Sequence, residues 1–152
     1  MTARDQKGGA AGESAELIDA LAQTAFATMG GLTKIASDND LSLTQLRVLA
    51  ILRDRRLRMT DLVAYLGLEK STLTGLIARA EARGLVTRAP NPDDKRAVDV
   101  MLSDQGRVLA AQLAEDLAKY LDPLVQSLDA SEQSALRDLL TTALRGSATG
   151  AA

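Results

Sequence analysis

Two short stretches of this chain carry side chains suited to gripping a polyanion. One is Lys70-Ser71-Thr72-Leu73-Thr74-Gly75, with Arg79 one turn further on; the other is Asp93-Asp94-Lys95-Arg96. Hydroxyls hydrogen-bond base edges or phosphate oxygens, and cationic side chains pair with phosphate. The 152 residues include no Cys and no His. That excludes disulfides, thiol sensing, zinc–thiolate and iron–sulfur sites, and removes the commonest general base and metal ligand. Neither Gly8-Gly9 nor Gly30-Gly31 is followed by the residues of a phosphate-binding loop, and no carboxylate pair shows a cleft pattern. The expectation is a binding protein rather than an enzyme, with no cofactor and no metal site.

The net charge of −2 is unevenly spread. From Ser42 to Arg107 there are twelve Lys/Arg against eight Asp/Glu, whereas the rest of the chain has six against twelve. A basic middle between acidic flanks fits a chain that meets phosphate only through its centre. Aromatics are limited to Phe26, Tyr65 and Tyr120, so the core is aliphatic and suits packed helices. No apolar run reaches the ~18 residues of a membrane span, and the polar start resembles no signal peptide. A cytoplasmic protein with no membrane partner is expected.

The elements that must hold the two stretches can be read from periodicity. Residues 1–12 and 146–152 are rich in small and polar residues and are expected to be disordered tails. Leu17, Leu21, Ala25, Met29 and Leu32 give a first helix over 13–37, interrupted at Gly30-Gly31. Ser42 with Gln45 is a capping box opening a second helix to about Arg55. Leu57-Arg58-Met59 reads as a strand. Thr60 is the expected cap of a third helix over 61–66, closed by Gly67, and a fourth spans 70–83 before Gly84. The period then changes to two in 86–89 and 97–102, with turn chemistry at Asn91-Pro92-Asp93-Asp94 between them. Val98, Val100 and Leu102 are expected to share one face. A long helix over 104–128, kinked at Pro123, and a last helix opened by Asp129 and Glu132 complete the pattern. Leu136, Leu139, Leu140 and Leu144 are expected to face inward there.

The fold class expected is mainly α with a small β-hairpin wing, a winged helix-turn-helix of six helices. On the fourth helix Leu76, Ile77 and Ala80 fall within about 60° of Leu73 and form a buried stripe. The opposite side offers Ser71, Gly75, Ala78 and Ala82, flanked by Thr72, Thr74 and Arg79. Such a small, hydroxylated face suits close approach to a DNA major groove. Gly75 fits that approach, and fits equally well as drift on a solvated face. Arg96 on a projecting tip suits a minor groove, with Asp94 or Asp93 holding its guanidinium bidentately; the plainer reading of Lys95 and Arg96 is a solvated, self-neutralising turn. Lys70 and Arg88 belong to the same candidate set.

Taken together, Leu43-Thr44-Gln45, Met59-Thr60-Asp61-Leu62, Leu66-Gly67, Ser71-Thr72-Leu73-Thr74, Arg83-Gly84-Leu85-Val86, Arg88, the wing sequence Asn91-Pro92-Asp93-Asp94-Lys95-Arg96 and Leu102-Ser103 with Gly106 resemble the multiple-antibiotic-resistance regulator (MarR) family of bacterial transcription factors. The resemblance implies a homodimer built on an N-terminal helix (13–40) and C-terminal helices (104–145), with residues 41–103 as the DNA-binding lobe. It implies that Ser71, Thr72 and Thr74 enter the major groove, that Arg96 reaches the minor groove and that Asp94 supports it. A pseudo-palindromic operator with half-sites roughly 10 bp apart follows. It also implies release by a small lipophilic or aromatic effector, for which Phe26, Met29, Leu32, Arg47 and Ile51 are candidate lining residues; the apolar four fit ordinary core as readily. Gly75, Ala80 and Glu69 depart from the family's usual Arg, Leu and Ser/Thr. A helix-rich module that keeps the fold but binds protein is the alternative, favoured by the acidic total, Gly75 and Glu69.

Overall fold

The computed structural model describes residues 4–149 as six α-helices and three β-strands. In chain order these are α1 (Arg4–Asp38), α2 (Leu43–Leu52), β1 (Leu57–Arg58), α3 (Met59–Leu66), α4 (Lys70–Ala82), β2 (Val86–Pro90), β3 (Val98–Leu102), α5 (Asp104–Val125) and α6 (Ala130–Thr149). The strands form one antiparallel sheet in the order β1-β3-β2, with Arg58 opposite Asp99 and Val86 opposite Leu102. The expected winged helix-turn-helix architecture is present.

The chain divides into a unit ending at Leu117 and a second beginning at Ala118. The core of the first is aliphatic. Leu49 and Leu52 of α2, Leu62 of α3, Leu73 and Ile77 of α4, and Val86 and Val100 of the sheet are essentially inaccessible to water. Burying each such side chain is worth roughly 1.5–3 kcal/mol, which is what fixes the orientation of the helices that carry them. Their spacing on α4 matches the stripe read from the sequence. In the second unit Glu132 and Asp129 bond each other's backbone N–H at 2.9 Å, forming the expected capping box of α6.

Several boundaries differ from expectation. α1 begins at Arg4, so residues 4–12 continue the helix instead of forming a tail, and it runs unbroken through Gly30-Gly31. Each glycine costs about 1 kcal/mol in a helix, but without proline propagation across it is still favourable. α6 likewise extends to Thr149, and residues 1–3 and 150–152 of the expected tails lie outside the described residues. Thr60 is not a cap: α3 opens at Met59 with Arg58 as N-cap. α5 ends at Val125 rather than Leu128, soon after Pro123, which lacks the N–H for a helical bond. The α6 leucines do not face inward within the protomer; Leu139 is 68% exposed. Val98 lies beyond the core and is exposed, while Val100 and Leu102 are buried.

One junction ties α4, the sheet and α5 together. Gly84, at φ +70°, reverses the chain after α4, and the Leu85 N–H donates to the Ala80 carbonyl at 2.9 Å. The Ser103 hydroxyl donates to the Gly84 carbonyl and accepts the Gly106 N–H at 2.9 Å, capping α5. The first turn of α5 thereby lies against Leu85, and a Cβ at Gly106 would stand 1.8 Å from the Leu85 carbonyl oxygen. Because backbone is struck, no rotamer change relieves the overlap. Gly106→Ala should therefore lower stability to urea by roughly 2–3 kcal/mol, whereas Gly146→Ala, with nothing within 4 Å, should leave it unchanged or slightly raised.

Candidate nucleic-acid interface

α4 is positioned by its buried stripe, which turns the opposite face outward. Lys70, Ser71, Thr72, Thr74, Ala78, Arg79 and Ala82 are all exposed. The turn before it is tight: Gly67 adopts φ +63° and its N–H donates to the Val63 carbonyl at 2.9 Å. Glu69 is the N-cap but makes no side-chain cap bond, so the first N–H groups of α4 stay open. The Thr74 hydroxyl proton is committed to the Lys70 carbonyl at 2.8 Å, leaving that oxygen as an acceptor only. A Cβ on Gly75 would meet only the Arg79 guanidinium at 3.5 Å, so nothing within the protomer demands glycine there.

The wing tip is shaped by side-chain acceptors. The Asn91 Oδ1 accepts the N–H groups of Asp93 and Asp94 at 2.9 and 3.0 Å, and the Asp94 Oδ1 accepts the Arg96 N–H at 3.0 Å. The Arg96 guanidinium lies 3.8 Å from Asp94, so the carboxylate orients its backbone instead of forking the side chain as expected. The side chain of Arg96 is 97% exposed. Beneath the tip lies a buried polar set. Asp99, 3% exposed, accepts the Asn91 amide at 2.8 Å on one oxygen and Arg56 Nε at 2.6 Å on the other. Arg56 also donates to the Pro90 carbonyl at 3.0 Å. The Asn91 amide foremost, then the Arg56 guanidinium, holds the Asp99 carboxyl below its ordinary pKa despite the opposing effect of burial.

Between helix and wing lies a cleft of about 260 Å³ lined in part by Arg58, Thr60, Lys70, Thr74, Arg88 and Arg96. It brings together four candidate residues, Lys70, Thr74, Arg88 and Arg96, and adds Arg58 and Thr60, which the sequence reading did not select. Ser71, Thr72, Gly75, Arg79 and Lys95 lie outside its lining. Arg88 is not a free cation: Nε donates to Glu81 at 2.9 Å and Nη2 bonds the same oxygen, lowering the Glu81 pKa and raising that of Arg88. This pair also ties the end of α4 to β2. Arg56 and Asp99 were missed as well. The available signal was an acid between Val98 and Val100, a charge inside an apolar strand that calls for a partner.

The five candidate effector residues do not line this cleft, nor the ones beside Tyr65 and beside Pro90. Phe26 is 78% exposed and Met29 is exposed on α1. Leu32 and Ile51 are half-buried against the core, and Arg47 donates to the Tyr65 carbonyl at 3.3 Å. Among the described residues no cluster of three or more acidic groups could hold a metal ion, and no helix is long and apolar enough to cross a membrane.

The family model described as MarR family matches residues 39–97, from the end of α1 to the wing. The multiple antibiotic resistance protein MarR of Escherichia coli K12 is 30% identical over 115 residues, which cover 74% of this chain and 80% of that protein. This chain belongs to the MarR family. Among solved structures, NadR in complex with 4-hydroxyphenylacetate superposes with a TM-score of 0.70 at 27% identity, covering 81% of this chain and 88% of that one. A mutant E. coli MarR complexed with operator DNA gives 0.62 at 28%, covering 86% and 92%. Membership of this family makes the chain a transcription regulator; a further relative, 28% identical over 128 residues, is the HTH-type transcriptional regulator PecS of Dickeya dadantii.

Asp99 gives the interface a pH signature. Its folded-state pKa is depressed, so its contribution to stability is complete above the ordinary value of 3.8 and is lost as pH falls below that value through the folded one. Urea unfolding followed from about pH 6 down to pH 2 should show a loss of stability below about pH 4 that Asp99→Asn reduces. An Asp99→Asn protein with the same acid dependence as the native chain would contradict this assignment.

Proposed function

We propose that this MarR-family protein acts in the cytoplasm as a homodimer that binds a pseudo-palindromic duplex operator, and that a small lipophilic or aromatic molecule releases it. The observation that carries the reading is Arg96. Its side chain projects fully into solvent at the rim of a cleft whose other cations come from β1, α4 and β2. A lone arginine on a projecting tip is suited to the negative potential of a narrow minor groove. On α4 the exposed Ser71 and Thr72 offer donors and acceptors to the major groove, Thr74 offers an acceptor, and Lys70 and Arg79 offer charge to the backbone. Arg88 contributes through its pair with Glu81, which sets the strand against the helix and leaves less charge for phosphate. The activity is binding, with no catalytic step.

Self-association is supported by apolar surface left open on the protomer. Leu17, Ile18, Leu21 and Phe26 on α1, and Leu136, Leu139 and Leu140 on α6, are all exposed. Large apolar side chains left to water along a helix mark a surface that a partner covers. Effector release rests on the relative solved with 4-hydroxyphenylacetate. Phe26, Met29, Leu32, Arg47 and Ile51 remain the proposed lining, completed only in the dimer.

Two measurements test this. On a labelled duplex from upstream of its own coding sequence, affinity should fall steeply with salt, and Arg96→Ala should weaken binding and reduce the log–log slope by about one. An unchanged affinity would remove the wing from the interface. In sedimentation, the native chain should run as a dimer and a Leu136→Glu/Leu140→Glu double variant as a monomer with reduced DNA affinity; a native monomer would refute the dimer.

A further inference from the structure

We infer that Arg56, Asp99 and Asn91 form a positioning strut for the wing, so that Arg56 and Asp99 set DNA affinity without touching DNA. The inference rests on the DNA-binding reading above and adds to it residues outside the proposed contact set. The geometry is a continuous relay. Arg56, in the segment between α2 and β1, donates to the buried Asp99 carboxylate and to the Pro90 carbonyl, gripping both strands of the wing at their outer end. The other Asp99 oxygen accepts the Asn91 amide, and the Asn91 oxygen in turn accepts the N–H groups of Asp93 and Asp94. Asp94 then fixes the backbone of Arg96. Four side chains therefore lead from the base of the lobe to the wing arginine.

The alternative for such a set is plain structural burial, and the chemistry argues for more. Among the described residues no buried side-chain polar atom lacks a partner, so the relay is fully satisfied. Bonds running from Arg56 to the Arg96 backbone narrow the range of conformations open to the tip. The tip has little apolar packing of its own: Pro92, Asp93, Lys95 and Arg96 are exposed. A groove-inserting arginine on an otherwise unpacked loop loses affinity when its loop wanders, because binding must then order it.

The sign of one substitution separates positioning from simple electrostatics. Asp99→Asn removes a negative charge close to the DNA-facing cations, so charge alone would tighten binding. Loss of the strut weakens it. Affinity for the labelled upstream duplex should fall about tenfold in Asp99→Asn and in Arg56→Ala, while neither variant should cost more than about twofold when Arg96 is already alanine. Arg56 is partly exposed, so Arg56→Ala keeps the test available where Asp99→Asn unfolds. Without DNA, amide exchange of residues 93–96 should accelerate in both variants while that of α4 stays unchanged. Tighter or unchanged binding, or an equal loss with and without Arg96, overturns the strut. Failure of the native protein to bind any duplex defeats the DNA-binding reading itself, and the exchange result then shows separately whether the relay holds the loop.

Discussion

The close backbone contact between Gly106 and Leu85 is the constraint on which the lobe depends. At that point the end of α4, the start of β2, the end of β3 and the first turn of α5 meet within a few hydrogen bonds. Only a residue without a Cβ lets α5 lie so near the Leu85 carbonyl. The helix offered to one groove and the hairpin offered to the next are thus anchored to one rigid corner. Their spacing is set by backbone geometry instead of by flexible side chains. The Glu81–Arg88 pair and the bonds from Arg83 to the carbonyls of Asn39 and Asp40 brace the same corner from outside.

The electrostatics follow from that placement. An acidic chain presents a basic face because the cations of β1, α4, β2 and the wing tip are gathered at one cleft while the acidic surplus lies elsewhere in the sequence. Some of the acids within the lobe serve the cations. Asp94 shapes the backbone under Arg96, Glu81 holds Arg88, and Asp99 turns Arg56 inward. Arg96 stays open to solvent at the wing tip, where a guanidinium gains from the potential of a narrow groove.

Much of this was legible in the sequence because it is local. The α4 stripe of Leu73, Leu76, Ile77 and Ala80 follows from helical spacing, and the wing follows from a change of period around Asn91-Pro92. The capping boxes at Ser42 and Asp129 are three-residue relationships and appear as read. The Arg56–Asp99 pair spans 43 positions, and no rule of spacing tells one of several neighbouring arginines which acid it will meet. The Glu81–Arg88 bond is likewise absent from any spacing rule, because it exists only once α4 and β2 pack. Thr60 looked like a cap by type, yet the sheet register starts α3 earlier. The start of α1 was misplaced because composition suggested a tail where helical propagation prevails.

Hydroxyl-radical footprinting of the native protein on the duplex upstream of its coding sequence addresses the central claim most directly. Two symmetry-related helix-and-wing pairs should protect sugars on both strands in a two-fold pattern, with centres about one helical turn apart and the outermost protections in minor grooves. A single unsymmetrical protection, or cleavage identical to that of free DNA at low ionic strength, would contradict it.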